Sequence, residues 1–262
     1  MSPHVGLFVS CLVDLMRPSI GFSAIRLLEA AGCKVSVPRQ QTCCGQPAYN
    51  YGDNKTSRAL ALQTVRTFSL YDYIVVPSGS CAAMLKRHYL SILADSKKNT
   101  DRELETFASK TYELCTFLSE ICDLREVPGR YKGRITYHDS CTGLRELGIK
   151  SSPRKLLSMV KDAELVEMEE TENCCGFGGL FSETYPDISN HMVTRKVTDA
   201  AKTKARLLVG GDLGCLQNIA GKIERSSLPI ECRHIAEVLA GNFSEPPIST
   251  NRNLSLVAST NA

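Results

Sequence analysis

Eight of the twelve cysteines in this 262-residue chain fall into two sets with nearly the same internal spacing. The first set is Cys11, Cys43, Cys44 and Cys81, and the second is Cys141, Cys174, Cys175 and Cys215. Corresponding members lie 130 to 134 positions apart, and in both sets two adjacent cysteines precede a glycine, in TCCGQP and NCCGFGG. Unrelated thiols do not repeat in this way, so we predict that each set converges on one metal or redox centre.

Four thiolates per set suit either Zn²⁺ or an iron–sulfur cluster. Zinc sites usually contain close CxxC pairs, whereas each of these sets extends over about 70 residues, which favours a cluster. Gly45 and Gly176 follow the adjacent cysteines and allow the tight turn needed to aim two neighbouring Sγ atoms at one centre. Backbone N–H groups in such a turn can also donate hydrogen bonds to cluster sulfides.

The remaining candidates are less specific. The cysteines outside the repeat are predicted to be core residues, because a lone buried cysteine usually acts as a small hydrophobe; they are Cys33, Cys115, Cys122 and Cys232. His138, in YHDSC, is either a ligand or proton carrier near the second site or a buried histidine bonded to backbone, and His234 has the same two interpretations. No paired acid and base with a nearby cationic clamp stands out, so catalytic residues are unassigned.

The segments around the cysteines also repeat. HVGLFVSC resembles RITYHDSC, and YIVVPSGSCAAML resembles RLLVGGDLGCLQNI, each a strand-like run that leads into a cysteine. Each half is predicted to run strand, helix, strand, double-cysteine loop, helix, strand, helix. This pattern predicts an α/β fold of two tandem three-layer units with parallel sheets, related by a pseudo-two-fold axis. Ligands bind such sheets outside the carboxyl ends of the strands, where these cysteines fall.

The predicted boundaries follow from the same repeat. The first unit spans residues 4–125 and the second residues 126–241, and residues 242–262 lack periodicity and are predicted to be a disordered tail. Residues 109–124 and 232–240 are predicted to be the closing helix of their respective units.

Composition narrows the class of protein. The net charge of +3 is too small for an electrostatic site for nucleic acid, and no apolar run reaches the ~20 residues of a membrane span. Peripheral membrane association stays open.

The early run VGLFVSCLV has no Lys or Arg before it and Asp14 after it, so it is interpreted as a buried strand. We expect a cytoplasmic protein, where twelve cysteines indicate metal or redox chemistry rather than disulfides.

The double motif resembles the CCG-domain (cysteine-rich) iron–sulfur family. That family includes the CCG-containing subunit of heterodisulfide reductase and the iron–sulfur subunits of glycolate oxidase and anaerobic glycerol-3-phosphate dehydrogenase. The segments LLEAAGCKVSVPRQQTCCGQPAYNYG, PSGSCAAML, NCCGFGGLFS and HIAEVL are most similar to members that form the small subunit of L-lactate utilisation complexes. The resemblance covers residues 4 to 240.

The resemblance implies an oxidoreductase subunit that transfers electrons in a complex oxidising L-lactate to pyruvate. Its partners would be a larger ferredoxin-type iron–sulfur subunit and a third subunit. The eight repeated cysteines would hold one or two clusters of the [4Fe–4S] type, with zinc at one site as the alternative. In heterodisulfide reductase the last element is CxxC, which gives five thiolates and a non-cubane cluster. Met84 and Asn218 stand at that last position here, which argues against disulfide-reductase chemistry.

Three alternatives remain at this stage. The chain could be a zinc-stabilised interaction subunit in which the cysteines only hold loops together. It could be an electron-transfer subunit for another 2-hydroxy acid or for a disulfide reductase. It could also be a thiol–disulfide enzyme that uses the adjacent cysteines directly, although such enzymes do not need four thiols at a repeated spacing.

Overall fold

The computed structural model describes residues 2–94 and 101–248, and its strands form two four-stranded sheets. The first sheet contains β1 (His4–Leu7), β2 (Lys34–Ser36), β3 (Tyr73–Val76) and β4 (Thr111–Glu113). The second contains β5 (Arg130–His138), β6 (Lys161–Leu165), β7 (Leu207–Gly210) and β8 (Glu231–His234). The strand orders are β2-β1-β3-β4 and β6-β5-β7-β8, and all these neighbours pair in parallel. The predicted α/β class with two similar parallel units is therefore confirmed.

Helices connect the strands, as parallel pairing requires. Those of the first unit are α1 (Cys11–Met16), α2 (Ser19–Ala30), α3 (Gln46–Asn50), α4 (Asn54–Phe68), α5 (Gly79–Ala83), α6 (Tyr89–Leu93), α7 (Asp101–Ser109) and α8 (Leu114–Thr116). A π-helical turn, Met84–His88, joins α5 to α6, and another, Phe117–Ile121, follows α8. Those of the second unit are α9 (Cys141–Leu147), α10 (Ser151–Leu157), α11 (Phe181–Thr184), α12 (Pro186–Lys202), α13 (Leu213–Arg225) and α14 (Ile235–Leu239).

The central strands carry buried apolar residues because the parallel sheets are covered on both sides. Leu7 in β1 and the whole of β7 are buried, and so is Ile135 in β5. One hydrophobic cluster contains Leu7 from the first sheet together with Ile135 from the second. The two units therefore share part of their core.

Equivalent helices meet across the interface between the units. Helix α5 contacts α9, and their counterparts in the other unit, α13 and α1, also contact each other. In the same way α2 contacts α14, and their counterparts α10 and α8 contact each other. This is the pairing expected of a pseudo-two-fold relationship. The contact between α5 and α9 is made by backbone. A Cβ atom at Gly79 would lie 3.2 Å from Gly143 Cα and 2.8 Å from Ser140 Oγ, so only glycine permits this approach.

Each unit contains one strand that the sequence pattern does not predict. Residues 109–124 and 232–240 are not single closing helices: β4 and β8 occupy part of each and add a fourth strand to the sheets. These strands have three and four residues and lead directly into helical turns. A periodicity window of 11 to 18 residues averages such a strand into the helix beside it.

The segment after α14 also differs from the expected disordered tail. Residues 242–248 pack against both units: the Ile248 N–H donates to the Cys232 carbonyl at 2.8 Å, and Asn242 Nδ2 donates to Ser23 Oγ at 3.2 Å. The Ile248 side chain is buried. Phe243 stacks on Tyr131. The rest of the predicted tail, residues 249–262, lies outside the described residues, and the exact unit boundaries 4–125 and 126–241 stay a prediction. Within residues 2–94 and 101–248, no helix has the length and hydrophobicity to cross a bilayer.

Candidate metal centres

The strand order brings the cysteines of each set to one edge of a sheet. Cys11 begins α1 after β1, and Cys81 lies in α5 after the neighbouring strand β3. In the second unit Cys141 begins α9 after β5, and Cys215 lies in α13 after β7. In each sheet the second and third strands in sequence order lie on opposite sides of the first. The carboxyl ends of the strands at that point form a topological switch point, where a crevice opens.

The first set forms a connected group of four thiols. Cys11 donates a hydrogen bond to Cys43, with the two Sγ atoms 3.7 Å apart. Hydrogen-bonding interactions continue from Cys43 to Cys44 and from Cys44 to Cys81. Cys44 and Cys81 are buried, whereas Cys11 and Cys43 are half-buried and line a cavity of about 360 Å³. One side of this group thus faces the core and the other faces an opening.

Hydrogen bonding distributes the protons unequally within the first group. The hydrogen bond from Cys11 lowers the pKa of Cys43 to about 2, and the same bond, together with burial, raises the pKa of Cys11. Hydrogen bonds to Cys43 and Cys81 raise the pKa of Cys44 well above its ordinary value. A metal centre bound here must displace the protons that the raised pKa values of Cys11 and Cys44 retain on these thiols.

The second set repeats this arrangement. Interactions link Cys141 to Cys174, Cys174 to Cys175 and Cys175 to Cys215, and the bond with Cys174 raises the pKa of Cys141. Cys175 and Cys215 are buried, and Cys141 and Cys174 are half-buried. Cys141 and Cys215 line a cavity of about 240 Å³ between the two units. Hydrogen-bonding interactions thus connect the four members of each predicted set in sequence.

The glycine after each cysteine pair makes the same turn in both units. The Gly45 N–H lies 3.4 Å from Cys43 Sγ, and the Gly176 N–H lies 3.4 Å from Cys174 Sγ. Both glycines have positive φ, +83° for Gly45 and +80° for Gly176, a conformation that L residues rarely adopt. Each turn therefore directs a backbone donor at a cysteine sulfur.

A side chain holds the second cysteine of each pair in place, which the sequence did not indicate. The Tyr89 hydroxyl donates to the Cys44 carbonyl at 2.9 Å, and Asn218 Nδ2 donates to the Cys175 carbonyl at 2.8 Å. Asn218 stands where the five-cysteine pattern has its last cysteine, and its counterpart Met84 is buried in the core. Neither position supplies a fifth thiolate.

His138 adds a nitrogen to the second group. It is the last residue of β5 and 1% exposed, and neither ring nitrogen has a hydrogen-bond partner within the described parts of the chain. One ring nitrogen and the Sγ atoms of Cys175 and Cys215 all lie within 4.8 Å of one another. Burial, with the nearby charge of Lys196, lowers the pKa of His138 to about 3, so the imidazole is neutral at pH 7. His234, in contrast, caps α14, where its Nδ1 accepts from the Ala236 N–H.

Lys196 is another buried residue that sequence reasoning missed. Its Nζ donates to the carbonyls of Glu170 at 2.8 Å and Thr171 at 3.1 Å, just before the second cysteine pair. The side chain is 1% exposed, and burial lowers its pKa. A lysine on a helix is usually exposed, so only the folded arrangement identifies this one as a support for the Cys174 loop.

The four cysteines outside the repeat occupy core positions. Cys33, Cys115 and Cys232 are buried and contribute to the hydrophobic core, as predicted, and Cys122 packs against that core. Cys33 Sγ and Cys122 Sγ are 4.0 Å apart, a proximity that their separation in the sequence does not indicate.

This fold and its duplicated cysteine groups define a protein family. The family model described as "Cysteine-rich domain" (CCG) matches residues 5–86 and 135–220, one match in each unit, and the chain belongs to that family. Among curated relatives, Lactate utilization protein A from Geobacillus kaustophilus (strain HTA426) is 46% identical over 235 residues, covering 90% of this chain and 98% of the relative. Lactate utilization protein A from Shouchella clausii (strain KSM-K16) is 44% identical over 236 residues, with the same coverages.

A solved structure shares the fold at low sequence identity. A hypothetical protein from Helicobacter pylori superposes with a TM-score of 0.61 and 12% identity. The match covers 93% of this chain and 49% of that one, so this chain spans about half the length of that protein. The likeness supports the architecture alone.

Proposed function

We propose that this chain is the iron–sulfur electron-transfer subunit of a complex that oxidises L-lactate to pyruvate. The observation that carries the proposal is the convergence of two equivalent four-cysteine groups at matching sheet edges. The relatives named lactate utilization protein A, similar over 90% of this chain, support the metabolic role.

The residues present fit a cluster at each site. Cys11, Cys43, Cys44 and Cys81 would hold one, and Cys141, Cys174, Cys175 and Cys215 the other. A [4Fe–4S] cluster takes four cysteine thiolates and supplies one-electron transfer when bound. Oxidation of lactate to pyruvate releases two electrons and two protons, so two single-electron steps satisfy the balance. The chain's own part is to hold the thiolates, direct the Gly45 and Gly176 N–H groups at sulfur, and shield the inner cysteines from water.

We further propose that the substrate reacts on a partner subunit. Partners of the proposed complex are a larger ferredoxin-type iron–sulfur subunit and a third subunit, in the cytoplasm. Exposed apolar side chains beside the first site support docking there: Leu15 is 80% exposed, Val37 is 41% exposed, and both line the cavity that Cys11 and Cys43 reach. Exposed apolar patches commonly mark protein–protein contacts.

Iron and sulfide analysis tests the cofactor. The full chain is purified without oxygen, reconstituted with Fe²⁺ and sulfide, and examined by absorbance and electron paramagnetic resonance. We expect about four irons and four sulfides per filled site, with Cys44→Ser and Cys175→Ser each removing one signal. Cys232→Ser is the matched control, because Cys232 is buried outside both groups. A colourless, iron-free chain after reconstitution would contradict the proposal.

Growth of a deletion strain tests the metabolic role. We expect loss of growth on L-lactate, normal growth on pyruvate, and recovery when the gene is restored. Unchanged growth on L-lactate, with a defect on a different 2-hydroxy acid, would transfer the proposal to that substrate.

A zinc-stabilised interaction subunit is the second candidate, and one distance favours it. Two sulfurs bound to one tetrahedral Zn²⁺ at ~2.3 Å lie about 3.8 Å apart, and Cys11 Sγ and Cys43 Sγ are 3.7 Å apart. Stoichiometric zinc that iron and sulfide do not displace, in a chain with no redox-active absorbance, would favour this candidate over the electron-transfer subunit.

A further inference from the structure

The two cysteine groups differ at one buried position. His138 lies three residues before Cys141, and Phe8 lies three residues before Cys11. The sheets give the same equivalence: His138 extends β5 beside Gly210 of β7, and Phe8 continues β1, donating its N–H to the Val75 carbonyl of β3. A duplicated fold thus has a phenyl ring in one unit and an imidazole ring in the other.

The ring of Phe8 is packed among apolar side chains. Phe8 is fully buried, its ring centroid lies 5.7 Å from that of Phe68, and it belongs to the same hydrophobic cluster as Cys44 and Cys81. A phenyl ring offers no donor to a metal. Position 8 therefore offers no nitrogen ligand to the first site.

The imidazole of His138, in contrast, lacks within residues 2–94 and 101–248 the hydrogen-bond partners that a buried polar ring requires. Two ring nitrogens are buried without a hydrogen-bond partner in the described residues, which is unfavourable for an imidazole. One ring nitrogen of His138 and the Sγ atoms of two buried thiols, Cys175 and Cys215, all lie within 4.8 Å of one another. Nitrogen and sulfur ligands on one tetrahedral metal lie about 3.5 Å apart, given bonds of ~2.0 and ~2.3 Å, so small side-chain rotations suffice.

We propose that His138 is a nitrogen ligand of the second site, acting with Cys175 and Cys215, so that the two sites have different donor sets. The inference rests on the proposed metal-holding role of the cysteines, and it applies to a cluster or to a single ion. In this arrangement His138 takes the place of one of the two half-buried cysteines, Cys141 or Cys174, as the fourth ligand. A centre with a neutral nitrogen in place of a thiolate carries less negative charge. Histidine ligation therefore raises the reduction potential, and the second site becomes the better electron acceptor.

Cobalt binding tests the ligand without iron or sulfide. The background is the full chain with Cys43→Ser and Cys44→Ser, which disables the first site. Co²⁺ is titrated anaerobically into this chain and into versions carrying His138→Phe, the natural counterpart at Phe8, or His191→Gln, an exposed histidine control. We expect His138→Phe to weaken Co²⁺ binding by at least about 10-fold, the minimum loss typical of outer-shell changes, and His191→Gln to change nothing.

The spectrum gives a second readout that needs no His138 variant. In the background chain, histidine labelled with ¹⁵N should change the nitrogen coupling seen by pulsed paramagnetic resonance of the bound centre. If circular dichroism shows that His138→Phe is unfolded, absence of this histidine coupling still overturns the inference. Equal Co²⁺ affinity in a folded His138→Phe chain, or no histidine coupling in the labelled chain, overturns the inference.

The outcomes separate this inference from the proposed function. If iron–sulfur clusters assemble with no dependence on His138, the proposed function stands and His138 is not a ligand. If no cluster forms but Co²⁺ binds through His138, His138 is a ligand and the iron–sulfur function is wrong. A chain that binds no Co²⁺ at the second site overturns the inference outright.

Discussion

Asn218 holds the Cys175 carbonyl with a 2.8 Å hydrogen bond from Nδ2, so α13 fixes the backbone of the second cysteine pair. The five-cysteine pattern would place a thiol at this position. In this chain the residue at this position supports the loop of the second cysteine pair instead. Tyr89, from α6, makes the corresponding bond to Cys44 in the first unit at 2.9 Å.

The first prediction concerns these two hydrogen bonds. We expect Asn218→Ala to lower the free energy of unfolding by about 1 to 3 kcal/mol, because the Cys175 carbonyl loses its side-chain partner. Metal affinity should fall at the second site only. Tyr89→Phe is the matched change and should weaken the first site only. Equal effects on both sites from either variant, measured by metal titration with the other site disabled, would contradict this assignment.

The second prediction separates two glycines with the same backbone angle. Gly45 and Gly176 both have positive φ, so alanine at either position should cost about 1 to 2 kcal/mol. A Cβ at Gly176 would also lie 2.7 Å from the Ser189 carbonyl oxygen, whereas at Gly45 the nearest atom is 3.5 Å away. We expect Gly176→Ala to lower the free energy of unfolding more than Gly45→Ala. Denaturant titration of both variants checks the order, and the reverse order would show that the turn at Gly176 is misassigned.

The third prediction concerns a buried ion pair between the units. Arg17 Nε lies 2.8 Å from Glu237 Oε1, and the side chains are 8% and 0% exposed. We expect Arg17→Ala to lower the free energy of unfolding by about 3 to 5 kcal/mol, because Glu237 stays buried without its cation. The control is Arg195→Ala, which breaks the exposed pair with Glu170 and should change the free energy by no more than about 1 kcal/mol. Similar losses for the two variants would contradict the buried role.

The fourth prediction concerns pH. Burial raises the pKa of Glu113 to about 7 even though its carboxylate accepts N–H bonds from Cys115 and Thr116. Because the pKa of Glu113 is raised in the folded chain, protonated Glu113 makes its full contribution to stability below pH 4.5. That contribution is lost as the pH rises through 7. We expect this group to lower the free energy of unfolding by about 3 kcal/mol between these limits.

The comparison with Glu113→Gln isolates that effect. Glutamine keeps the acceptor oxygen and does not ionise, so the difference in unfolding free energy between the two chains should grow from pH 5 to pH 8. His138 titrates in the opposite sense, because its lowered pKa favours folding as the pH rises. Its contribution is common to both chains and cancels. A difference that does not change with pH would contradict the raised pKa of Glu113.

The repeat in the sequence predicted the parallel sheets and the grouping of cysteines because both depend on spacing along the chain. Cys11 and Cys81 follow neighbouring strands, and strand order alone then brings them together. The carbonyl bonds of Tyr89 and Asn218 could not be found in this way. The two residues lie at different distances from the preceding cysteine, 8 and 3 positions, so they do not repeat.

Burial was the other quantity that the sequence could not supply. His138 had two equal interpretations in the sequence, and only the absence of a ring partner among the described residues distinguishes them. Lys196 resembles any charged residue on a helix until the fold places it under the Cys174 loop. The short strands β4 and β8 are recognised by their pairing with β3 and β7. Strands of three or four residues are too short for their own sequence pattern to identify them.

The glycine contact between α5 and α9 has a consequence for the proposed electron path. These helices contain Cys81 and Cys141, one from each site, and they meet backbone to backbone at Gly79 and Gly143. In the proposed electron-transfer role, the distance between the two sites would depend on this backbone contact, which the absence of a Cβ atom at Gly79 and Gly143 permits.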